Sequence, residues 1–175
     1  MLELNHVFTA YVDIGAPLDL GPVATGRRRI VPIIGGSVSG PRLTARILSG
    51  GADWQIVRAD GTAEVVARYT LEAEDGTFIS VVNKGLRRGP PDVLERLAAG
   101  EAVDPTLYYF RTSPVFDVTA GPHGWLAENI FVATARTARK ASDHQGFCIV
   151  LSALGRRDAV RSPSAAMAAK AKNVQ

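Results

Sequence analysis

Short runs of β-branched and aromatic residues, separated by dense glycine and proline breaks, constrain the fold of this chain more than any other feature. The 175 residues include 17 glycines and 10 prolines, which leave little room for long helices. Several runs alternate polar and apolar residues with the period of two that is typical of half-buried strands. The runs predicted as strands are His6–Val12, Arg27–Ile34, Arg42–Leu48, Trp54–Val57, Ala63–Leu71, Thr77–Asn83, Thr106–Thr112, Leu126–Ala135 and Phe147–Leu151.

Turn signals between these runs indicate antiparallel connections. Asp60-Gly61 and Asp75-Gly76 each separate two strand-like runs, which is the strongest short-range signal for a hairpin. One short helix is predicted over Pro90–Gly100, with proline near its start and glycine past its end. Many short strands favour a sandwich or a barrel. We predict an all-β fold, an antiparallel β-barrel of about 8–10 strands with one short helix, because closure removes exposed strand edges.

The charge distribution separates the predicted barrel domain, residues 1–154, from a C-terminal tail, residues 155–175. The tail is rich in Ala, Ser and Lys, and we expect it to be mobile or weakly helical. It holds five basic residues against one acidic residue, whereas the rest of the chain holds 15 basic against 16 acidic residues. The formal net charge of +3 therefore belongs to the tail, and we expect no nucleic-acid binding by the barrel.

Several classes of protein are excluded by what the sequence lacks. A single cysteine, Cys148, excludes an internal disulfide framework, and no His, Cys and carboxylate set has the spacing of a metal site. We expect no metal and no other cofactor. No segment resembles a signal peptide or a membrane-spanning helix, so a cytoplasmic location without membrane attachment is predicted.

Arginines at the start of an apolar strand are the first candidates for ligand binding. Alternation places Arg27 and Arg29 on one face and Arg28 on the other. A buried guanidinium requires an anionic partner, so Arg27 and Arg29 are predicted to hold the carboxylate of a ligand. The alternative is a solvated edge or a structural ion pair with one of three carboxylates: Glu64, Asp117 or Glu128.

Three further residues are predicted to bind the ligand or wall its pocket. Trp54 offers a large flat surface, although a core tryptophan is the more common case. Asn83 ends an apolar strand and can orient a carbonyl or hydroxyl group. Arg87 follows in a basic segment and can meet an anion at a barrel mouth, or it belongs to an ordinary basic turn.

Two segments supply candidates for proton transfer. Tyr109 and Arg111 share one face of a predicted strand, and this pair would suit an anionic ligand of aromatic size. The alternative is a wet outer face. Glu128 lies on an apolar face if Leu126–Ala135 is a strand, where it would act as a base or pair with an interior arginine. We therefore predict Tyr109 and Glu128 as catalytic residues and Arg111 as a substrate-binding residue.

Five blocks of the sequence closely resemble the UPF0311 family, also called domain-of-unknown-function 3237. The blocks are GRRRIVPIIGGSVSGPRL, GGADWQIVRADGTAEVVARYTL, NKGLRRGP, DPTLYYFRTSPVF and WLAENIFVA. The resemblance implies a compact antiparallel β-barrel that forms homo-oligomers, and it implies no settled activity. The block around Glu128 departs from the Asn-Arg-like pairing that the resemblance implies.

These observations lead to three hypotheses about function. The first is a barrel that binds a small organic anion and acts as a cofactor-independent isomerase, lyase or cyclase on an aromatic or keto acid. The second is a non-catalytic carrier or sensor of a hydrophobic acid. The third is an oligomeric scaffold whose barrel is filled by side chains, which would leave no cavity above about 300 Å³.

Overall fold

Ten antiparallel strands and one helix make up the computed structural model, which describes residues 3–139 and 145–155. The strands are β1 (Glu3–Ile14), β2 (Leu18–Val23), β3 (Gly26–Ser39), β4 (Ala45–Ile47), β5 (Gly51–Val57), β6 (Ala63–Ala73), β7 (Phe78–Arg88), β8 (Tyr109–Val118), β9 (Phe131–Arg139) and β10 (Gln145–Gly155). The helix α1 spans Pro91–Ala98, and short 3₁₀ turns span Pro105–Leu107 and Gly124–Leu126. The predicted all-β class is confirmed.

The sheet closes into an eight-stranded barrel. Around the barrel, the strands follow the order β1-β10-β9-β8-β7-β6. Strands β4 and β5 each pair with β6 on one side and with β3 on the other, and β3 pairs with β1 to close the barrel. The long strand β3 makes this closure possible, since its first half pairs with β2 and β5 and its second half with β1 and β4. Gly36 lies at the closing seam, where its φ is +142° and a Cβ atom would stand 2.1 Å from the carbonyl oxygen of Tyr11.

The two predicted Asp-Gly hairpins are confirmed. Gly61 has a φ of +81° between β5 and β6, and Gly76 has a φ of +82° between β6 and β7. In each turn, the preceding aspartate accepts a hydrogen bond from the backbone amide two residues later, at 2.9 Å for Asp60 and 3.0 Å for Asp75. Glycine and aspartate thus perform the local roles that make this dipeptide a turn signal.

One end of the barrel is filled by apolar side chains. Phe8, Phe116 and Phe131 meet edge to face, with ring centroids 6.2 Å and 5.1 Å apart for the two successive pairs. Leu126 is buried beneath the second 3₁₀ turn, and Trp125 packs on Phe131 at 6.1 Å. These side chains belong to the larger apolar cluster of the barrel.

Helix α1 covers the opposite end of the barrel, and it confirms the single short helix that the sequence predicts. Two prolines begin it, and Val93 and Leu97 are its buried residues. They pack with Val65, Phe110 and other interior side chains in a second apolar cluster. The helix therefore covers the barrel interior at this end.

Some predicted boundaries are wrong. The strand predicted over Leu126–Ala135 begins only at Phe131, because residues 124–126 form a 3₁₀ turn. Strand β2 lacks polar–apolar alternation in burial and was not predicted. Within the ranges above, no helix is long and apolar enough to cross a bilayer. Of the predicted tail 155–175, only Gly155 lies inside the described residues, where it ends β10.

Candidate functional site

Polar side chains occupy inward positions at the α1 end of the barrel. Arg29 and Gln55 pair directly across β3 and β5, and Asp53 lies on the same face of β5 as Gln55. On the neighbouring strands, Asn83 and Thr112 are buried as well. Polar groups at inward positions of a small barrel require hydrogen bonds, so their partners decide what the interior can do.

A chain of hydrogen bonds connects Arg29 to Asp53. Arg29 Nη2 donates to Gln55 Oε1 at 2.8 Å, and Gln55 Nε2 donates to Asp53 Oδ2 at 2.6 Å. The amide of Val66 donates to Asp53 Oδ1 at 2.9 Å. Asp53 is 6% exposed. Burial raises the pKa of its carboxyl above the ordinary 3.8, while these hydrogen bonds and the charges of Arg87 and Arg29 act in the opposite direction.

Arg87 projects into the same interior without an ion pair to any described carboxylate. Its guanidinium carbon stands 5.9 Å from the centre of the Phe110 ring, and its Nε atom is buried without a hydrogen-bond partner. Burial, together with the nearby charge of Arg29, lowers the pKa of Arg87. A guanidinium group does not lose its proton in proteins, so Arg87 stays charged.

The interior carries an excess of positive charge. Arg29 and Arg87 face Asp53, the one buried carboxylate in the described part of the chain. Two other carboxylates near the opening are engaged elsewhere: Asp19 pairs with Arg27 and Glu101 with Arg96. The Nε atom of Arg29, like that of Arg87, has no hydrogen-bond partner. The arrangement is suited to accepting an anion.

Two cavities adjoin these groups. The larger has a volume of about 130 Å³ and is lined by Arg29, Gln55, Arg87 and the end of α1 at Leu97. The smaller, about 30 Å³, is lined by Asp53, Asn83 and Thr112, among others. Both have Ile14 and Phe147 in their walls, so they are neighbours inside one barrel.

Two interior groups could exchange a proton with a ligand. One is the Asp53 carboxyl described above. The other is Tyr69, which lines the smaller cavity and whose phenol pKa is raised by burial. Across residues 3–139 and 145–155, no three His, Cys, Asp or Glu side chains lie close enough together to hold a metal ion.

The structure brings together three of the residues that the sequence predicted for ligand binding. Arg29, Asn83 and Arg87 all line the interior cavities. Arg27, on the same strand face as Arg29, instead lies at the rim and forms its ion pair with Asp19, with its Nε 2.8 Å from the carboxylate. Arg27 lies at the rim because it is close to the β2–β3 turn, beyond the end of the barrel interior.

Trp54 lies outside the barrel. It is 36% exposed and lines an outer groove with Arg28 and Glu64. The physical reason is alternation, since its neighbours Asp53 and Gln55 take the inward positions of β5. The expectation that Trp54 walls the interior pocket is therefore wrong.

Tyr109, Arg111 and Glu128 also lie away from the interior. Tyr109 is 42% exposed, and its ring stands 5.2 Å from the Arg111 guanidinium on the outer face of β8. Phe110 and Thr112 take the inward positions there. Glu128 is exposed in the segment between the second 3₁₀ turn and β9. Tyr109 and Arg111 share a face as predicted, but it is the outer face, and Glu128 has no strand face at all.

Sequence reasoning missed four interior polar residues or their roles. Asp53 and Gln55 are not among the predicted site residues, and neither are Tyr69 and Thr112. A signal for the first pair existed in the sequence. Asp53 and Gln55 have the same parity on one strand, so a barrel that buries one of them buries both.

Comparisons with known proteins identify relatives over most of the chain. The sequence matches the family described as "Protein of unknown function (DUF3237)" over residues 2–153. A UPF0311 protein from Rhodopseudomonas palustris is 42% identical over 134 residues, which cover 77% of this chain and 88% of that protein. The crystal structure of a conserved protein of unknown function from Rhodopseudomonas palustris aligns with a TM-score of 0.79 at 37% identity, covering 89% of this chain and 98% of that one. An enzyme from Penicillium herquei has a TM-score of 0.62 at 18% identity, over 87% of this chain and 94% of that one, and thus shares the fold alone.

Proposed function

The chain belongs to the DUF3237 family of proteins of unknown function, and we propose that the interior of its barrel binds a small organic carboxylate. The observation that carries this proposal is the pair of guanidinium groups, Arg29 and Arg87, in the wall of one cavity. Each has a buried Nε atom without a partner. Buried donors of a charged group are costly when unpaired, and a carboxylate can accept from both.

The cavity limits the size of the ligand. Its volume of about 130 Å³ is close to the roughly 150 Å³ cavity that holds a benzene molecule in another protein. The ligand is therefore an acid with a single ring or a short chain. The scaffold hypothesis has one observation in its favour, since both interior cavities, about 130 and 30 Å³, fall below the size of about 300 Å³ that is usual for larger ligands.

Calorimetric titration with benzoate and a panel of single-ring and keto acids tests the proposal. Arg29→Met should weaken binding about 10–150-fold, because a hydrogen bond to a charged group contributes about 1.5–3 kcal/mol. Arg28→Met is the matched control, since this arginine lines an outer groove and should leave the affinity unchanged. Equal affinities for the wild type and Arg29→Met would contradict the proposal. Failure of the wild type to bind any of these acids would support the scaffold.

Conversion of the ligand is the finer part of the proposal. Asp53 is a buried carboxylate in the wall of the adjoining smaller cavity. With a keto acid, it is suited to take a proton from the carbon beside the carbonyl group, the arginines would stabilise the enolate that forms, and return of the proton from the Asp53 carboxyl to another carbon would give an isomer. Native mass spectrometry of the purified protein should detect a co-purified acid, and NMR spectroscopy of that acid should show a second isomer after incubation, because isomerisation leaves the mass unchanged. Asp53→Asn should retain the acid without converting it. An unchanged acid in the wild type would instead favour the carrier or sensor.

A further inference from the structure

The smaller cavity contains polar groups that the binding of a carboxylate does not use. Asn83 is 3% exposed and Thr112 is 6% exposed. Asn83 Oδ1 and Thr112 Oγ1 are both buried and have no hydrogen-bond partner. Most buried polar side chains in proteins are satisfied, so two unsatisfied groups in the wall of one cavity require an explanation.

These two groups lie next to each other on neighbouring strands. Thr112 on β8 pairs with Gly85 on β7, and Asn83 is two residues along β7 on the same face. An amide and a hydroxyl together offer both donors and acceptors. Such a pair is suited to a ligand hydroxyl, which itself donates one hydrogen bond and accepts others.

The position of this pair relative to the arginines sets the length of the ligand. Arg87 and Asn83 are four residues apart on β7 and line adjoining cavities. Four strand residues span about 13 Å between Cα atoms, and the two cavities share Ile14 and Phe147 in their walls. The volume of the larger cavity, about 130 Å³, is suited to one six-membered ring between a carboxylate and a hydroxyl group.

We propose that Asn83 and Thr112 form a second subsite that recognises a hydroxyl group on the bound acid, so that the natural ligand is a hydroxylated single-ring carboxylic acid. This inference rests on the proposed binding of a carboxylate by Arg29 and Arg87. It adds a preference among acids, which the arginines alone would not produce. The preference follows because an acid without the hydroxyl leaves Asn83 and Thr112 unsatisfied.

The test compares benzoate with 3-hydroxybenzoate and 4-hydroxybenzoate by calorimetric titration. In the wild type, one hydroxylated isomer should bind about 3–10-fold more tightly than benzoate, the effect of about one neutral hydrogen bond. Asn83→Leu and Thr112→Val keep the branching and the number of heavy atoms of each side chain and remove its hydrogen-bonding groups. In both variants, the ratio between the affinity for the hydroxylated isomer and the affinity for benzoate should fall below twofold, because the hydroxyl group then meets an apolar side chain.

The outcomes distinguish this inference from the proposal on which it rests. If benzoate binds and Arg29→Met weakens it, but neither isomer gains affinity, the smaller cavity is a water site and the subsite is refuted. A hydroxyl advantage that survives in both variants refutes it as well. Unweakened benzoate binding by Arg29→Met refutes the carboxylate proposal instead. Thermal unfolding gives a second readout, since Asn83→Leu should melt at or above the wild-type temperature, and a large decrease would indicate a structural role for Asn83.

Discussion

Replacing Arg87 with methionine separates a ligand-binding arginine from a structural one. Methionine keeps much of the side-chain length and removes the charge. A structural arginine would be paired with Asp53, and its removal would leave that carboxylate buried without compensation. A ligand-binding arginine destabilises the free protein because its charge is buried, and only a bound anion offsets this cost. The two roles therefore predict opposite effects on stability.

The magnitudes follow from the contacts of Arg87. Loss of one partner of a buried ion pair costs about 3–5 kcal/mol, which would lower the Tm by about 6–20 °C for a chain of this size. Arg87, however, forms no ion pair with a described carboxylate, and its Nε donates to no atom. We therefore expect a Tm within about 3 °C of the wild type, or higher, as less than about 1 kcal/mol is lost. Affinity for benzoate should fall about 10–150-fold.

Differential scanning calorimetry and calorimetric titration on the same preparations measure both effects. Arg88→Met is the control, because Arg88 is exposed on the outer face with its guanidinium 5.2 Å from the Tyr109 ring. Arg88→Met should change neither the Tm nor the affinity for benzoate appreciably. A Tm decrease of about 6 °C or more in Arg87→Met, with benzoate affinity unchanged, would refute the reasoning and assign Arg87 to the structure.

Three further changes probe the fold and its titration. Asp53 has a raised pKa in the folded protein, so its contribution to the stability of the fold decreases as the pH rises from 3.8 through that higher value. Denaturant unfolding at several pH values should therefore show that Asp53→Asn gains stability relative to the wild type across this pH range. A difference in stability that does not change with pH would contradict this prediction. Gly36→Ala should destabilise the barrel by about 3 kcal/mol or more, because its Cβ atom would meet a β1 carbonyl oxygen at 2.1 Å. The control is Gly124→Ala, whose Cβ atom would meet no atom within 4 Å. Equal melting temperatures for the two variants would refute the argument that β3 must approach β1 closely at Gly36 to close the barrel. Leu97→Ala should lower the free energy of unfolding by about 2–5 kcal/mol, because it removes a buried contact of α1. Urea unfolding measures this loss, with the exposed Glu95→Ala as the control. An equal loss in the two variants would show that α1 does not hold its end of the barrel closed.

Local chemistry accounts for what the sequence predicted well. The Asp-Gly turns depend on one glycine conformation and one aspartate hydrogen bond, and α1 depends on its prolines and its apolar stripe. All of these act within a few residues, so they can be recognised without knowledge of the fold. The same holds for an inward arginine on β3, because alternation along Arg27–Arg29 turns at least one of the three side chains toward the interior whichever face is enclosed.

The outer position of Tyr109 and Arg111 depended on tertiary structure. The predicted strand ends at Thr112, two residues before Pro114. Strand β8 nevertheless continues to Val118, and its register with β9 is confined to the pairs Arg111 with Thr134 and Thr112 with Ala133. Pro114 therefore lies outside the ladder of hydrogen bonds between β8 and β9. Burial alternates along the whole of β8, which places Phe110 and Thr112 inside.

The sequence by itself determined the β-rich class, the turns, the short helix, the family and a strand bearing an inward arginine. Tertiary structure alone decided which parity of each strand faces the interior, and thus which polar groups meet. Alternation along a strand defines two faces but does not say which one is enclosed. That choice is made when β3 pairs with β1 and closes the barrel, since closure buries one face of every strand at once.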